Sequence, residues 1–179
     1  ASGVAVMGCC LSKQTTDTSQ NVARNASQRE IAWKTTGIVG LRDARLTSLP
    51  AKIFSADVAP KCRNVDASNN KIASLPPSIG TLVNLQRLTL TANALTTLPD
   101  ELAQCVNLRV LVLDRNAISR VPDCVLASLT KLQTLSLAHN KLAAMPSVAS
   151  LAKLEKLTVA GNSLTSLPDG AGRCAMLEE

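Results

Sequence analysis

The stretch LQRLTLTANALTTLP, residues 85–99, decides the fold, because versions of it recur along most of the chain. The copies begin at Thr36, Cys62, Leu85, Leu108, Leu132, Leu154 and Leu177. The copy at Thr36 is atypical, and the copy at Cys62 is looser than those that follow it. Successive copies start 22–26 residues apart, which indicates a chain built from a short repeated unit.

Each unit carries apolar residues in a pattern that predicts a strand followed by a bend. Leu88 and Leu90 alternate at period two, which places both side chains on one side of a short strand. Leu95 and Leu98 continue inward after the bend. Because one unit cannot bury these leucines alone, neighbouring units are expected to stack with parallel strands. The core is aliphatic, since the 46% hydrophobic content includes one Trp, one Phe and no Tyr.

An asparagine column marks the bend at the end of each predicted strand. Its side-chain amide suits the backbone groups that a buried bend leaves unpaired. The first unit has Ala44 in this column, which fits a terminal capping repeat. The predicted structural asparagines are Asn70, Asn93, Asn116, Asn140 and Asn162. A Leu-Pro pair or a variant follows, and the proline stops the bend from continuing as regular sheet or helix.

These units resemble the leucine-rich repeat family, whose L-x-x-L-x-L-x-x-N-x-L core runs nearly unbroken from Cys62 to Leu167. Segments of the form L-x-x-L-P-x-x-I/L-x-x-L-x-x-L look like the intracellular Ras-group type, typified by Ras-suppressor and plant intracellular Ras-group proteins. The resemblance implies an α/β solenoid, a curved horseshoe with a parallel sheet on its concave side. Short helical or 3₁₀ returns would form the convex side. Residues 36–179 are assigned to this domain, as six units and a truncated seventh.

The opening of the repeat region is similar to that of small, N-myristoylated cytosolic leucine-rich repeat proteins. In those proteins a short helix caps the first strand, and the resemblance implies a capping helix over residues 22–35. The predicted apolar contacts of this helix are Val22, Ala26, Ile31 and Trp33.

Near the start, Met-Gly-Cys-Cys-Leu-Ser at residues 7–12 fits the M-G-x-x-x-[ST] pattern for N-myristoylation. Gly8 would carry the myristoyl group. Cys9 and Cys10 would carry palmitate, the second signal that stable membrane attachment requires. Residues 7–21 are then an acylated flexible segment, and residues 1–6 are expected to be upstream, non-native sequence. If translation instead begins before Met7, Gly8 has no free amine and the motif is accidental.

The outward-facing strand residues form a concave surface, which in solenoid proteins commonly binds partners. Arginine is a frequent anchor at such interfaces, and charge concentrates in the middle of this surface. The alternative is that each of these residues is polar only because it faces water. The predicted partner-binding residues are Arg63, Asp66, Arg87, Thr89, Arg109, Val112, Asp114, Arg115, Ser136, His139 and Lys156.

Composition argues against several other classes of function. The net charge of +6 comes from scattered lysines and arginines, and stacking aromatics are almost lacking, so nucleic-acid binding is not expected. One histidine and no C-x-x-C pattern leave no spacing for a zinc site, and no cofactor or small-molecule substrate is expected. Cys105 and Cys174 share a column three units apart, about 14 Å, so they cannot form a disulfide. The cysteines therefore indicate a reducing compartment.

The favoured function is a non-enzymatic protein–protein interaction scaffold in intracellular signalling. It would be cytoplasmic and peripheral, held by acyl chains on the inner face of the plasma membrane or on an endomembrane. The resemblance implies a small GTPase or a signalling enzyme as the partner. An enzyme is disfavoured, because a triad of Ser136, His139 and Asp114 on an open face lacks an oxyanion hole. The alternative is the repeat domain of a larger immune-receptor-type or signalling protein whose other domains are missing from this fragment.

Overall fold

The computed structural model describes residues 28–166, 168–173 and 176–178. In this part of the chain, seven parallel strands of three residues each form one sheet, in the order of the sequence. The strands are β1 (Ile38–Gly40), β2 (Asn64–Asp66), β3 (Arg87–Thr89), β4 (Val110–Val112), β5 (Thr134–Ser136), β6 (Lys156–Thr158) and β7 (Met176–Glu178). Each unit contributes one strand, so the predicted α/β repeat solenoid with a parallel sheet is confirmed.

The middle residue of each of the first six strands points into the core, and the middle residues of neighbouring strands lie in register. The first six of these residues are at most 1% exposed: Val39, Val65, Leu88, Leu111, Leu135 and Leu157. Leu90 is also fully buried, as its alternation with Leu88 predicted. Burying one leucine contributes about 1.5–3 kcal/mol. Rows of aliphatic side chains therefore form the core of this chain, which has almost no aromatic residues.

A helix, α1, precedes β1 and covers residues 28–36 of the described chain. Trp33 is only 7% exposed, and ion pairs join the helix to the first unit at Lys34–Asp57 and Glu30–Lys52. The prediction that Ile31 also packs inward is wrong, because its side chain is 61% exposed. Two residues along a helix are about 200° apart around its axis, so Ile31 and Trp33 cannot face the same unit.

The predicted start of this helix at residue 22, with Val22 and Ala26, lies outside the described residues. Within the part of the chain that is described, no helix has the length and apolar character needed to cross a membrane.

Proline begins the convex return in four units. Pro50, Pro76, Pro99 and Pro122 have extended backbone and stand immediately before a short helix, for which the fixed φ of proline is suited. The 3₁₀ helices are Ala51–Phe54, Ala59–Lys61, Pro77–Thr81, Asp100–Gln104 and Ala171–Arg173, and the α-helix α2 is Asp123–Ser128. The predicted short helical or 3₁₀ returns are confirmed.

The bend after each strand contains a residue with left-handed backbone, directly before the asparagine column. These residues are Asn69, Ala92, Arg115, His139 and Gly161, with φ of 54–69°. Asp43 takes the same conformation in the first unit. For a residue other than glycine this conformation costs roughly 1–2 kcal/mol. The hydrogen bonds of the asparagine column offset this conformational cost of the bend.

Candidate protein-binding surface

The side chains of the asparagine column join each unit to the unit before it by hydrogen bonds. In Asn116, Oδ1 accepts a hydrogen bond from the Leu95 amide at 3.1 Å. Its Nδ2 donates to the carbonyl oxygens of Leu90, Leu113 and Asp114 at 2.9–3.2 Å. Asn70, Asn93, Asn140 and Asn162 make equivalent bonds to their own and the preceding unit. These side chains are committed to holding the sheet rigid behind the candidate binding surface.

A second polar ladder, which the sequence pattern did not reveal, runs along the turn before the strands. The Nδ2 atoms of Asn84 and Asn107 donate to the carbonyls of Pro60 and Val83 in the preceding unit, at 2.8 and 2.9 Å. Lys131 donates to Oδ1 of Asn107 at 2.7 Å. The available signal was the residue before the first leucine of each unit, which is Asn in two consecutive units and Lys in the next two.

Two rows of side chains cross the concave face of the sheet, because the parallel strands are in register. One row contains Asn64, Arg87, Val110, Thr134 and Lys156, and the other contains Asp66, Thr89, Val112, Ser136 and Thr158. Adjacent members of a row lie about 4.8 Å apart, the spacing of neighbouring strands. The surface is thus a fixed grid of side chains.

The two aspartates predicted on this surface make hydrogen bonds within the protein. Oδ1 of Asp114 accepts from the Ser136 hydroxyl at 2.5 Å and from the Ala138 amide at 2.8 Å, both in the following unit. Oδ1 of Asp66 accepts from the amide and hydroxyl of Ser68. One oxygen of each carboxylate is therefore already bound by an amide and a hydroxyl of the protein itself.

Ser136 is only 8% exposed, so it lies beneath the surface on which it was predicted. Its hydroxyl donates directly to Asp114. In a catalytic triad, a histidine stands between the serine and the carboxylate. His139 instead lies at the bend, and a Cβ atom placed on Gly161 would come within 2.5 Å of its Nδ1. The structure therefore brings Ser136 and Asp114 together in a structural bridge and places His139 against the next unit.

The four predicted arginines differ sharply from the aspartates. Arg63, Arg87, Arg109 and Arg115 are exposed. None of them has a side-chain hydrogen bond or an ion pair within the described part of the chain. Thr89, Val112 and Lys156, in β3, β4 and β6, are half-buried. The guanidinium groups are therefore free hydrogen-bond donors on this surface.

A polar pocket of about 470 Å³ opens at the N-terminal end of this surface, between α1 and the next two units. It is lined by Thr35, Thr36, Gly37, Pro60, Lys61, Arg63, Asn84 and Gln86. Two of these residues are cationic and none is acidic. A partner group that enters this pocket meets positive charge and amide donors.

The described cysteines fall into two chemical classes. Cys62 and Cys105 are buried in leucine columns, and burial raises the pKa of each thiol to about 11. Cys124 is exposed, and its thiol donates to Asp100 across 3.4 Å. No group of three or more His, Cys, Asp or Glu residues in the described ranges could hold a metal ion. Cys174 and the predicted lipidation residues Gly8, Cys9 and Cys10 lie outside those ranges.

Comparison with known proteins identifies the repeat. A model described as a leucine-rich repeat region matches residues 61–179. The chain belongs to the leucine-rich repeat family. A solved structure of a leucine-rich repeat protein from Leptospira interrogans is similar to this chain, with a TM-score of 0.62 and 33% identity. The similarity covers 69% of this chain and 37% of the other.

Two curated relatives come from Oryza sativa subsp. japonica. Plant intracellular Ras-group-related LRR protein 7 is 44% identical over 87 residues, which are 49% of this leucine-rich repeat chain and 29% of the relative. Plant intracellular Ras-group-related LRR protein 8 is 38% identical over 73 residues, covering 41% and 18% respectively. The predicted resemblance to the Ras-group type is confirmed. The chain spans less than a third of the length of either relative.

Leucine-rich repeats generally serve as protein-interaction modules, because stacked units offer an extended surface without an enclosed cavity. Membership in this family, the in-register grid and the free arginines are the features that suggest a protein-interaction repeat protein.

Proposed function

We propose that the protein is a non-enzymatic scaffold for intracellular signalling, which binds a protein partner through the concave face of its sheet. The observation that supports this proposal is the in-register grid of side chains on the concave face, with the hydrogen-bonded asparagine column beside it. A rigid surface loses little conformational entropy on association. By resemblance to the Ras-group type, the partner class is a small GTPase or a signalling enzyme.

Site-directed photocrosslinking tests which face binds. Benzoylphenylalanine at Thr134 lies on the concave grid, whereas the same residue at Ala127 lies on the exposed side of α2. In extracts of cells that make the protein, we expect a discrete crosslinked adduct from position 134 that excess unlabelled protein competes away. Position 127 serves as the matched control. Competable adducts from position 127 alone would assign binding to the convex side and overturn the proposal.

We further propose that myristoylation of Gly8, with palmitoylation of Cys9 and Cys10, holds this scaffold on a cytosolic membrane face. The motif supports this proposal because it combines the two acyl signals that stable attachment needs. Intact-mass measurement of protein expressed from Met7 should show a myristoyl increment that Gly8→Ala abolishes. Cys9→Ser/Cys10→Ser should keep that increment and leave the membrane fraction. An unmodified mass for the parent protein would contradict the proposal.

A further inference from the structure

On the concave face, the acidic and the basic side chains differ in whether they have hydrogen-bond partners within the protein. Its two central carboxylates, Asp66 and Asp114, accept hydrogen bonds from within the protein. Its arginines have no partner among the described residues. One oxygen of each carboxylate is thus bound within the protein, while the cationic donors are free, and this combination favours ligands whose acceptors carry negative charge.

Three of the free arginines form a triangle at the N-terminal half of the face, with Arg87 on a strand and Arg63 and Arg109 at the edge where strands begin. Arg63 and Arg109 occupy equivalent positions, each directly before a strand, and Gln86 lies between them. The Gln86 amide donates to the Arg63 carbonyl and the Arg109 amide donates to the Gln86 carbonyl. Arg63 and Arg109 are therefore two strand spacings apart, about 10 Å. Arg87 projects from the intervening strand, one residue further along, so a short acidic segment can reach all three.

The polar pocket adjoins this triangle. Arg63 belongs to both, and Lys61 and Gln86 add further donors on the same side. No carboxylate lines the pocket. One acidic side chain of a bound segment can enter here while its neighbours meet Arg87 and Arg109.

We propose that the N-terminal half of the concave face binds an acidic segment of a protein partner, with Arg63, Arg87 and Arg109 as the carboxylate-binding residues. This inference rests on the proposed function and names the chemistry of the partner. Single-stranded nucleic acid fits less well, because base stacking needs exposed aromatics and the one tryptophan is buried. An anionic bilayer is a different class of anionic ligand, and it is tested separately with vesicles.

Fluorescence anisotropy with a labelled 12-residue peptide of alternating glutamate and serine tests the proposal. A peptide of alternating glutamine and serine, a 12-nucleotide oligothymidine and phosphatidylserine vesicles are the comparison probes. We expect the glutamate peptide to bind and the glutamine peptide to bind at least about tenfold more weakly. Tighter binding of the oligonucleotide or vesicles, lost with the same arginines, would overturn the assignment of an acidic protein segment.

Charge-matched variants separate a local site from the net charge of the protein. Arg63→Glu/Arg87→Glu and Lys71→Glu/Lys153→Glu change the net charge equally, and all four side chains are exposed. The arginine variant should lose at least about tenfold in affinity for the glutamate peptide, and the lysine variant less than about threefold. Equal losses would overturn the proposal. If the arginine reversal does not fold by circular dichroism, Arg63→Gln/Arg87→Gln should still lose at least about threefold.

The crosslinking experiment distinguishes failure of this inference from failure of the proposed function. A competable adduct from position 134 that persists in Arg63→Glu/Arg87→Glu, together with no glutamate-peptide binding, refutes the acidic partner and leaves the concave scaffold intact. Loss of the competable adduct in that variant, but not in Lys71→Glu/Lys153→Glu, supports both. Adducts from position 127 alone refute both.

Discussion

At the scale of single residues, asparagine solves a problem created by the bend in each unit. The bend turns backbone groups away from the sheet ladder while keeping them buried, and an unpaired buried group costs about 1–3 kcal/mol. Asn116 satisfies one amide and three carbonyls in two units at once. An aspartate could accept but not donate, and a leucine could do neither. The amide therefore couples the local bend to the stacking of units.

Replacing Asn116 by alanine should lower the free energy of unfolding by about 3 kcal/mol, since several partly buried backbone groups lose their partner. Urea denaturation followed by circular dichroism measures this change. Asn107→Ala is the matched control, because Asn107 donates to only one carbonyl, near solvent. It should cost less than about 1 kcal/mol. Equal costs at the two positions would show that the column has no special structural role.

The buried thiols make stability depend on alkaline pH. Burial raises the pKa of Cys62 and Cys105 to about 11, so the folded state keeps these protons at a pH where the unfolded chain loses them. Unfolding then releases protons, and stability falls as pH rises from about 9 to 11. The loss should reach about 2–3 kcal/mol per thiol.

Denaturation at pH 8–11 of the parent chain and of Cys62→Ala/Cys105→Ala checks this dependence. The double variant should be less stable at pH 8 but show a flatter decline above pH 9. Parallel declines would mean that other groups cause the alkaline loss. Among the described cysteines, only the exposed Cys124 should react readily with a thiol reagent while the protein is folded.

At the scale of elements, the junction between α1 and β1 determines how the first unit is covered. Gly37 ends the helix with left-handed backbone, at φ of 68°, and its amide donates to the Trp33 carbonyl at 3.0 Å. A Cβ atom here would lie 2.2 Å from the Lys61 carbonyl oxygen. Only glycine permits both the backbone conformation and this close approach. The junction places Trp33 over the core and the pocket beside Arg63.

Gly37→Ala should therefore destabilise the protein by about 2–4 kcal/mol, through left-handed strain and a clash with backbone. Gly40→Ala is the control, because a Cβ atom there would have no neighbour within 4 Å and the φ of Gly40 is not in the left-handed range. Its effect should stay within about 1 kcal/mol. Thermal unfolding followed by Trp33 fluorescence reports both variants at the junction itself. A tolerated Gly37→Ala would mean that α1 can dock in another way.

At the scale of the whole molecule, the solenoid has no single centre. Each strand pairs only with the strands of adjacent units, and each central aliphatic side chain packs between those of its neighbours. Stability is then close to a sum of contributions from units and from their interfaces. This organisation keeps the binding grid stiff over its length. A destabilising substitution in one region therefore lowers the stability of distant units less than that of adjacent units.

Leu111→Ala in β4 should cost about 2–5 kcal/mol, because it opens a cavity in a fully packed row. In urea, its midpoint by far-ultraviolet circular dichroism should shift more than its midpoint by Trp33 fluorescence, since Trp33 reports the distant N-terminal cap. Leu49→Ala, in the first unit, should reverse this order. Coincident shifts in both variants would indicate that the described solenoid unfolds as one cooperative body.

Most of the fold could be predicted from the sequence, because leucine-rich repeats encode their structure locally. The alternation of Leu88 and Leu90 and the interval between units are visible within a few dozen residues. The side of α1 that faces the core was less visible, since Ile31 and Trp33 are both apolar and only docking decides between them. The alternation of side chains along the strands located the candidate surface. It did not show which polar groups of that surface are free to bind a partner.

By itself, the sequence determined the repeat, the parallel sheet, the aliphatic core and the family, because periodicity and alternation are properties of neighbouring residues. Only the tertiary structure decided which polar groups on the concave face are already bound. Asp114 meets Ser136 and Ala138 from 22 and 24 residues further along, whereas Arg63, Arg87 and Arg109 meet no partner in the described chain. The physical reason is that stacking, and not the local pattern, brings a donor of one unit to an acceptor of the next.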